Sequence, residues 1–375
     1  MSWEAMNSTS SYATGGEDTT FTDYSYSEDP DGTVCSLESV RNFSRSFLPA
    51  AYGLICVSGL LGNLLVVATL AFYKKAKSMT DVYLLHMAVA DVLFVLTLPF
   101  WAAEHALGEW ALGDAGCRLV RGLYALNFHC GMLLLACVGL DRYVAVVQAT
   151  RSFRLRARAL AHRRPILAAV WTLALLLSAG AFAFHRSYPL GGRQVCELSL
   201  PAGWEPLRWK LLLLGLQLLG GFFLPLGVMG ACYLCVVLSL LRSRNAKRRR
   251  AVRVVAAVVL VFLGCQVPYA AALLATAARL GAEGRSCPGE QRLALALTLT
   301  QALAFLHCCL NPLLYAFVGQ RFRGHFLRAA KDLWCLRGAS GTGAGAGPPC
   351  AWLHSDTAAS RQNSEAADDA SSFTM

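Results

Sequence analysis

Charge is scarce in this chain: 15% of its 375 residues are Asp, Glu, Lys or Arg, against 55% that are hydrophobic. By length alone two soluble domains would fit, but this balance excludes them and points to a membrane protein. Catalytic signatures are missing too. No HExxH, GxSxG or P-loop pattern occurs, and the run "GTGAGAG" at 341–347 follows no strand and opens no helix, so it reads as a flexible linker. No enzyme and no cofactor are expected. Halves of opposite topology with broken helices about a midplane site, the pattern of a transporter or channel, are also absent. Residues Met1 to Pro30 lack an apolar core, so no cleavable signal is expected and the first membrane helix serves as the insertion signal.

The hydrophobic residues are gathered into seven blocks, approximately 47–73, 81–107, 115–148, 165–185, 207–241, 251–280 and 292–317. Each can cross a hydrocarbon core about 30 Å thick, which needs ~20 helical residues. Inside lipid every backbone polar group must be bonded within its own segment, so these stretches are helices. The expected fold is an all-α membrane protein, a seven-transmembrane helix bundle. A short amphipathic membrane-surface helix should follow, since Phe322, Phe326, Leu327 and Ala330 line one side of "GQRFRGHFLRAAKDLWC".

Most of the 34 basic residues fall on one side if the amino terminus is outside: Lys74, Lys75, Lys77, the arginines from Arg151 to Arg164, the run "RSRNAKRRRAVR" and the start of the tail. The net charge of +11 therefore reports topology and contact with membrane lipid, not nucleic-acid binding. The expected organisation is an acidic, disordered extracellular segment 1–46, a bundle 47–317, the amphipathic cytoplasmic helix 318–335 and a disordered cytoplasmic tail 336–375, all in a multi-pass plasma-membrane protein. The first segment carries a net charge of −6 and is rich in Ser, Thr and Tyr. Asn7 and Asn42 are glycosylation sequons, consistent with an external amino terminus.

Of 14 cysteines, eight lie within the apolar blocks and read as packed thiols. Four fall in the oxidising exterior: Cys35, Cys117, Cys196 and Cys287. Three pairings are open to them. Cys117–Cys196 with Cys35–Cys287 is expected, because the first would pin a long loop over the bundle and the second would tie the amino-terminal segment to the seventh helix. A Cys35–Cys117 link in peptide mapping would overturn that choice. Cytoplasmic Cys335 is a palmitoylation candidate.

Asp91 sits in "HMAVADVLFVLTLPF", where a carboxylate is disfavoured by at least ~2.5 kcal/mol and is functional by default. Asn63 and Asn311 are placed to face it. The run "HCCLNP" reads as a poor metal site, since His307, Cys308 and Cys309 leave a helix in successive directions. Pro99, Pro225, Pro268 and Pro312 interrupt four blocks and allow kinks, so two packings of similar energy are available for a ligand to select.

In order along the helices stand "LGN" at 61–63, "AVAD" at 88–91, Cys117, "DRY" at 141–143, Trp171, Pro225 with Tyr233, and "NPLLY" at 311–315. Together they resemble the rhodopsin-like G-protein-coupled receptors. "TLPFW", "DRYVAVVQA", "HCCLNPLLYAF" and the outer pair Cys35 and Cys287 are similar to the chemokine-receptor branch, and the likeness covers nearly the whole chain. It implies a receptor for a small basic C-C chemokine, expected to be C-C motif chemokine 20, that signals through inhibitory heterotrimeric G proteins to calcium mobilisation and leukocyte chemotaxis. Arrestin would bind the phosphorylated tail. The acidic segment would steer and hold a basic ligand, with Tyr24 and Tyr26 in a context resembling tyrosine-sulfation sites.

The resemblance assigns the ligand pocket to Trp101, Tyr124, Tyr269 and Gln301, and the switch to Asp141, Arg142, Tyr143, Tyr233, Gln266, Pro268, Asn311, Pro312 and Tyr315. Arg142 would be held toward the bundle at rest and released to the G protein, with Asp141 restraining it. Two departures stand out. Gln301 occupies a place where many members carry Glu, so a neutral hydrogen bond replaces an ionic contact. "CQVP" lacks the tryptophan of the family's sixth helix, leaving the hinge to Gln266. A sodium site at Asp91 is implied, although Gly131 and Cys308 stand where hydroxyls are common. A non-signalling scavenger of the same fold is the alternative, with a transporter behind it.

Overall fold

Residues 35–73, 78–201, 205–241, 246–279, 286–318 and Gly324 are described in the computed structural model of this chain. Seven helices among them are long and apolar enough to cross a membrane: Glu38–Phe72, Met79–Leu107, Gly113–Val146, Arg163–Phe184, Leu207–Leu241, Ala256–Arg279 and Cys287–Leu313. They are numbered here as the first to seventh spans. The third is the axis of the bundle, with 78% of its apolar window buried against 17% for the fourth. Leu54, Leu61, Leu176, Leu219, Leu224 and Leu260 point outward, as a lipid-facing surface requires.

The first span begins nine residues before the expected boundary at 47. Helix already runs from Glu38 because the polar stretch hides an apolar stripe at helical spacing: Val40 packs on the cluster of Cys35, Leu37 and Ala294, and the Phe43 and Phe47 rings stack with centroids 5.0 Å apart. The expectation of a disordered segment to residue 46 is therefore corrected for 38–46. Residues 1–34, which carry Asn7, Tyr24 and Tyr26, lie outside the described residues. So does the expected amphipathic helix over 318–335, apart from Val318 and Gly324, together with Cys335 and the tail.

Prolines stand beside irregular backbone in two spans and within a regular helix in a third. The second span is interrupted at Leu96–Thr97, just before Pro99, and there both the backbone N–H and Oγ1 of Thr97 donate to the Phe94 carbonyl, at 2.8 and 2.7 Å. The fifth carries a π-helical stretch, Leu216–Phe223, immediately before Pro225. Within it Gly221 lies so close to the third span that a Cβ would fall 2.4 Å from the His129 ring, whose Nδ1 pairs with Ser178 Oγ of the fourth span at 2.9 Å. In the sixth, Pro268 is inside the continuous helix Ala246–Arg279.

A hairpin absent from the sequence expectation joins the fourth and fifth spans. Strand β1, His185–Leu190, pairs antiparallel with β2, Arg193–Leu198, through Gly191 and Gly192, whose φ angles of 57° and 76° form the turn favoured by right-twisted strands. Cys196 is bonded to Cys117 at the head of the third span, and Cys35 is bonded to Cys287 at the head of the seventh. Trp110 N–H adds a hydrogen bond to the Gln194 carbonyl at 2.8 Å.

Candidate functional site

Three clusters of polar or aromatic groups lie at successive depths along the third span, beginning at its disulfide-bonded end. There an aromatic floor is formed by Tyr52, Trp101, Tyr124, Tyr269 and Phe305. The Trp101 ring meets Tyr124 at 5.9 Å and Phe305 at 5.3 Å, and Phe305 meets Tyr52 at 5.2 Å. Tyr124 and Tyr269 share a side-chain hydrogen bond. The structure thus brings three of the four sequence-assigned pocket residues into one floor, with Gln301 one helical turn from Phe305. Tyr52 OH, Trp101 Nε1 and Gln301 Nε2 are buried without hydrogen-bond partners among the described residues. A buried donor left unbonded costs about 1–3 kcal/mol.

One part of this floor escaped the sequence reading. Arg121 is buried, its guanidinium 4.0 Å over the Trp101 ring, and its Nη2 donates to Glu104 Oε1 at 2.6 Å and to the Cys196 carbonyl at 3.2 Å. It therefore ties second span, third span and β2 together. An arginine one helical turn beyond a half-cystine was the available signal. His185, at the start of β1, is likewise buried, and burial first, with the Arg121 charge adding to it, lowers its pKa to about 3. Asn42 is exposed on the first span.

The second cluster lies at mid-depth. Asp91 is 1% exposed and accepts from Asn127 Nδ2 at 2.9 Å and Asn311 Nδ2 at 3.0 Å. Asn63 does not reach it, contrary to expectation: it donates to the Gly59 and Cys308 carbonyls at 2.9 and 2.7 Å, answering an acceptor near Pro312 instead. A further correction concerns "HCCLNP". Donor atoms of Asp91, His307 and Cys308 lie within 4.8 Å of one another, because the long imidazole arm swings toward the short thiol and cancels the turn between successive residues. Gln266 of the sixth span lies against His307, its Nε2 3.3 Å from Nδ1. For sodium, a hard ion that takes oxygen ligands, this is an unsuitable set: an imidazole and a thiol occupy the cavity, and Gly131 offers no side chain.

At the far end of the third span Asp141 and Arg142 close on each other, although neighbours on a helix leave it about 100° apart. The guanidinium folds back, Nη2 reaching Asp141 Oδ2 at 2.5 Å and Thr80 Oγ1 at 2.5 Å, while Thr80 itself donates to Asp141 Oδ2 at 2.7 Å. Arg156, on the helix Ala149–Ala161, approaches the other Asp141 oxygen at 3.5 Å. Asp141 is thus held from three sides. Arg142 Nε and Tyr233 OH remain buried without partners among the described residues. Tyr143 packs with Val146, Val236 and Val252. Pro312 abuts Gly62 so closely that a Cβ there would sit 2.9 Å from the proline ring. Tyr315 lies on the seventh helix, its side chain outside the described residues.

The arrangement has an aromatic floor with unpartnered donors at one end and a charge cluster around Asp141 at the other. The family described as 7 transmembrane receptor (rhodopsin family) matches residues 62–315. Among curated proteins, the mouse C-C chemokine receptor type 6 is 54% identical over 99% of this chain and 100% of its own length. The human C-C chemokine receptor type 6 is 56% identical, covering 93% of each chain, and the human C-C chemokine receptor type 7 is 41% identical over 85% of this chain and 83% of its own length.

Proposed function

The chain belongs to the rhodopsin family of seven-transmembrane receptors, in its chemokine-receptor branch, and from that membership we propose that it receives C-C motif chemokine 20 and passes the event to inhibitory G proteins. It is a multi-pass plasma-membrane protein and not an enzyme. In this reading the disulfide-bonded end faces outward and the Asp141 end faces the cytoplasm. The acidic segment 1–34, with sulfated Tyr24 and Tyr26 and a glycan at Asn7, captures the basic chemokine by charge; Asn42 carries a second glycan.

The observation that carries the proposal is that one helix, the third span, runs from Tyr124 in the aromatic floor to Arg142 in the latch. The amino terminus of the chemokine enters above Trp101, Tyr124, Tyr269 and Gln301 and supplies acceptors to the unpartnered donors there. Its binding favours a packing in which the sixth span swings at Pro268, with Gln266 and Asn311 exchanging partners and Pro312 supplying the seventh-span bend. Arg142 then leaves Asp141 and Thr80 for the G protein, and Tyr143, Tyr233 and Tyr315 support the opened form. Arrestin binds the tail after phosphorylation, and a palmitate on Cys335 anchors the helix that precedes it. Calcium release, inhibition of cAMP and leukocyte chemotaxis are the expected responses.

The test is a chemokine panel on cells expressing this chain, with calcium flux, cAMP and surface level read together. A response to C-C motif chemokine 20 is expected. Silence to every chemokine at normal surface expression would overturn the receptor reading; uptake of chemokine without any G-protein signal would replace it with scavenging.

A further inference from the structure

We propose that Asp91, His307 and Cys308 form a zinc(II) site that clamps the second span to the seventh. Zinc bonds of ~2.0–2.3 Å in tetrahedral geometry place neighbouring donor atoms about 3.4–3.6 Å apart. His307 Nε2 stands 3.5 Å from Cys308 Sγ and 3.8 Å from Asp91 Oδ1, and all three donor atoms fall within 4.8 Å. The cage is therefore almost closed before an ion enters.

The surrounding groups orient the ligands as a metal requires. His307 Nδ1 donates to the Ala304 carbonyl, which leaves the lone pair of Nε2 directed at Asp91 and Cys308. Two amide donors, from Asn127 and Asn311, fix the Asp91 carboxylate. Asn311 Oδ1, on a residue 1% exposed, is a buried acceptor without a partner among the described residues, beside the same carboxylate, and supplies the fourth donor atom directly or through a water. Nitrogen, sulfur and oxygen donors together suit a borderline-soft dication better than sodium, calcium or magnesium.

Charge is also balanced. On binding, the Cys308 thiol proton passes to solvent; thiolate and carboxylate then neutralise Zn²⁺, so no net charge remains among the ion and its ligands. Because Gln266 touches His307, a metal there restrains the sixth span together with the second and seventh. The three ligands are enclosed, so the ion exchanges only when the bundle opens.

The test uses the purified full chain in lipid nanodiscs, stripped of metal and titrated to a constant endpoint with Co²⁺ as the visible substitute for zinc. A thiolate-to-cobalt charge-transfer band with the absorption of tetrahedral cobalt is expected, saturating at one ion per chain and displaced by Zn²⁺. Cys308→Ser should abolish the charge-transfer band and His307→Gln should weaken cobalt binding at least about tenfold. Cys309→Ser, whose thiol bonds the Leu306 carbonyl, should leave the band in place. No band in the unmutated chain, or an undiminished band in Cys308→Ser, overturns the assignment. The first of these outcomes is read without any variant, so a folding defect cannot hide it.

Discussion

Replacing Thr80 by valine removes one hydroxyl and keeps the side-chain shape. That hydroxyl accepts from Arg142 at 2.5 Å and donates to Asp141 at 2.7 Å, on a residue 9% exposed. Hydrogen bonds to charged groups contribute about 1.5–3 kcal/mol each. The direct Asp141–Arg142 contact survives the change, so a net loss of about 2 kcal/mol from the latched packing is a fair figure, equal to a factor of about 30 in the equilibrium. If the open packing holds about 1% of the unliganded molecules, Thr80→Val raises it to roughly a quarter. The assay is ligand-free nucleotide exchange on an inhibitory G protein in membranes carrying matched amounts of receptor. Basal exchange should rise many-fold while the chemokine-stimulated maximum stays near that of the unmutated chain. Unchanged basal exchange, with the variant correctly folded by ligand binding, would refute the idea that this triangle holds the resting state.

Three further outcomes follow from contacts elsewhere. Glu104→Gln strips the buried Arg121 of its counter-charge, which costs about 3–5 kcal/mol, and should lower the thermal midpoint in a thiol-dye melt as well as the yield at the cell surface. Cys287→Ser opens a cross-link between residues 252 apart; a loss of about 2–4 kcal/mol in stability is expected, read as a lower midpoint and weaker chemokine binding under non-reducing conditions. His185 supplies a pH dependence. Its folded pKa of about 3 lies below the ordinary value near 6.5, so its contribution is complete above pH 6.5 and declines as pH falls toward 3, because only the unfolded chain takes up the proton. The slope is about 1.4 kcal/mol per pH unit in that window, and His185→Asn should flatten the melting midpoint between pH 7 and pH 5.

The seven spans were legible because lipid leaves one signal, a long apolar run, that no local preference overrides. Their ends were less so. The helix over 38–46 is announced only by Val40, Phe43 and Phe47 at helical spacing among polar residues, and its partner Ala294 is on the other end of the chain. The hairpin had a local mark, Gly191-Gly192, but strands of six residues rich in Arg, Ser and Gln carry no apolar alternation to support it. Individual site residues could be assigned where a motif fixes their type. What motifs do not encode is who turns toward whom: Asn63 to the Cys308 carbonyl instead of Asp91, and His307 onto Cys308. Those choices depend on side-chain reach across neighbouring helices, which one-dimensional spacing does not contain.

Two covalent ties stand at one end of the bundle and no corresponding cross-link is formed at the other among the described residues. The assembly is therefore a fan fastened at its handle. Below Pro268 the sixth helix extends through 22 residues to Ala246, an arm of about 33 Å, so a swing of about 15° carries its tip about 9 Å. The same swing moves atoms beside the proline by less than an ångström or two. A ligand that shifts a few aromatic rings at the fastened end can thus open a cleft wide enough to admit a helix of another protein at the free one, through leverage alone.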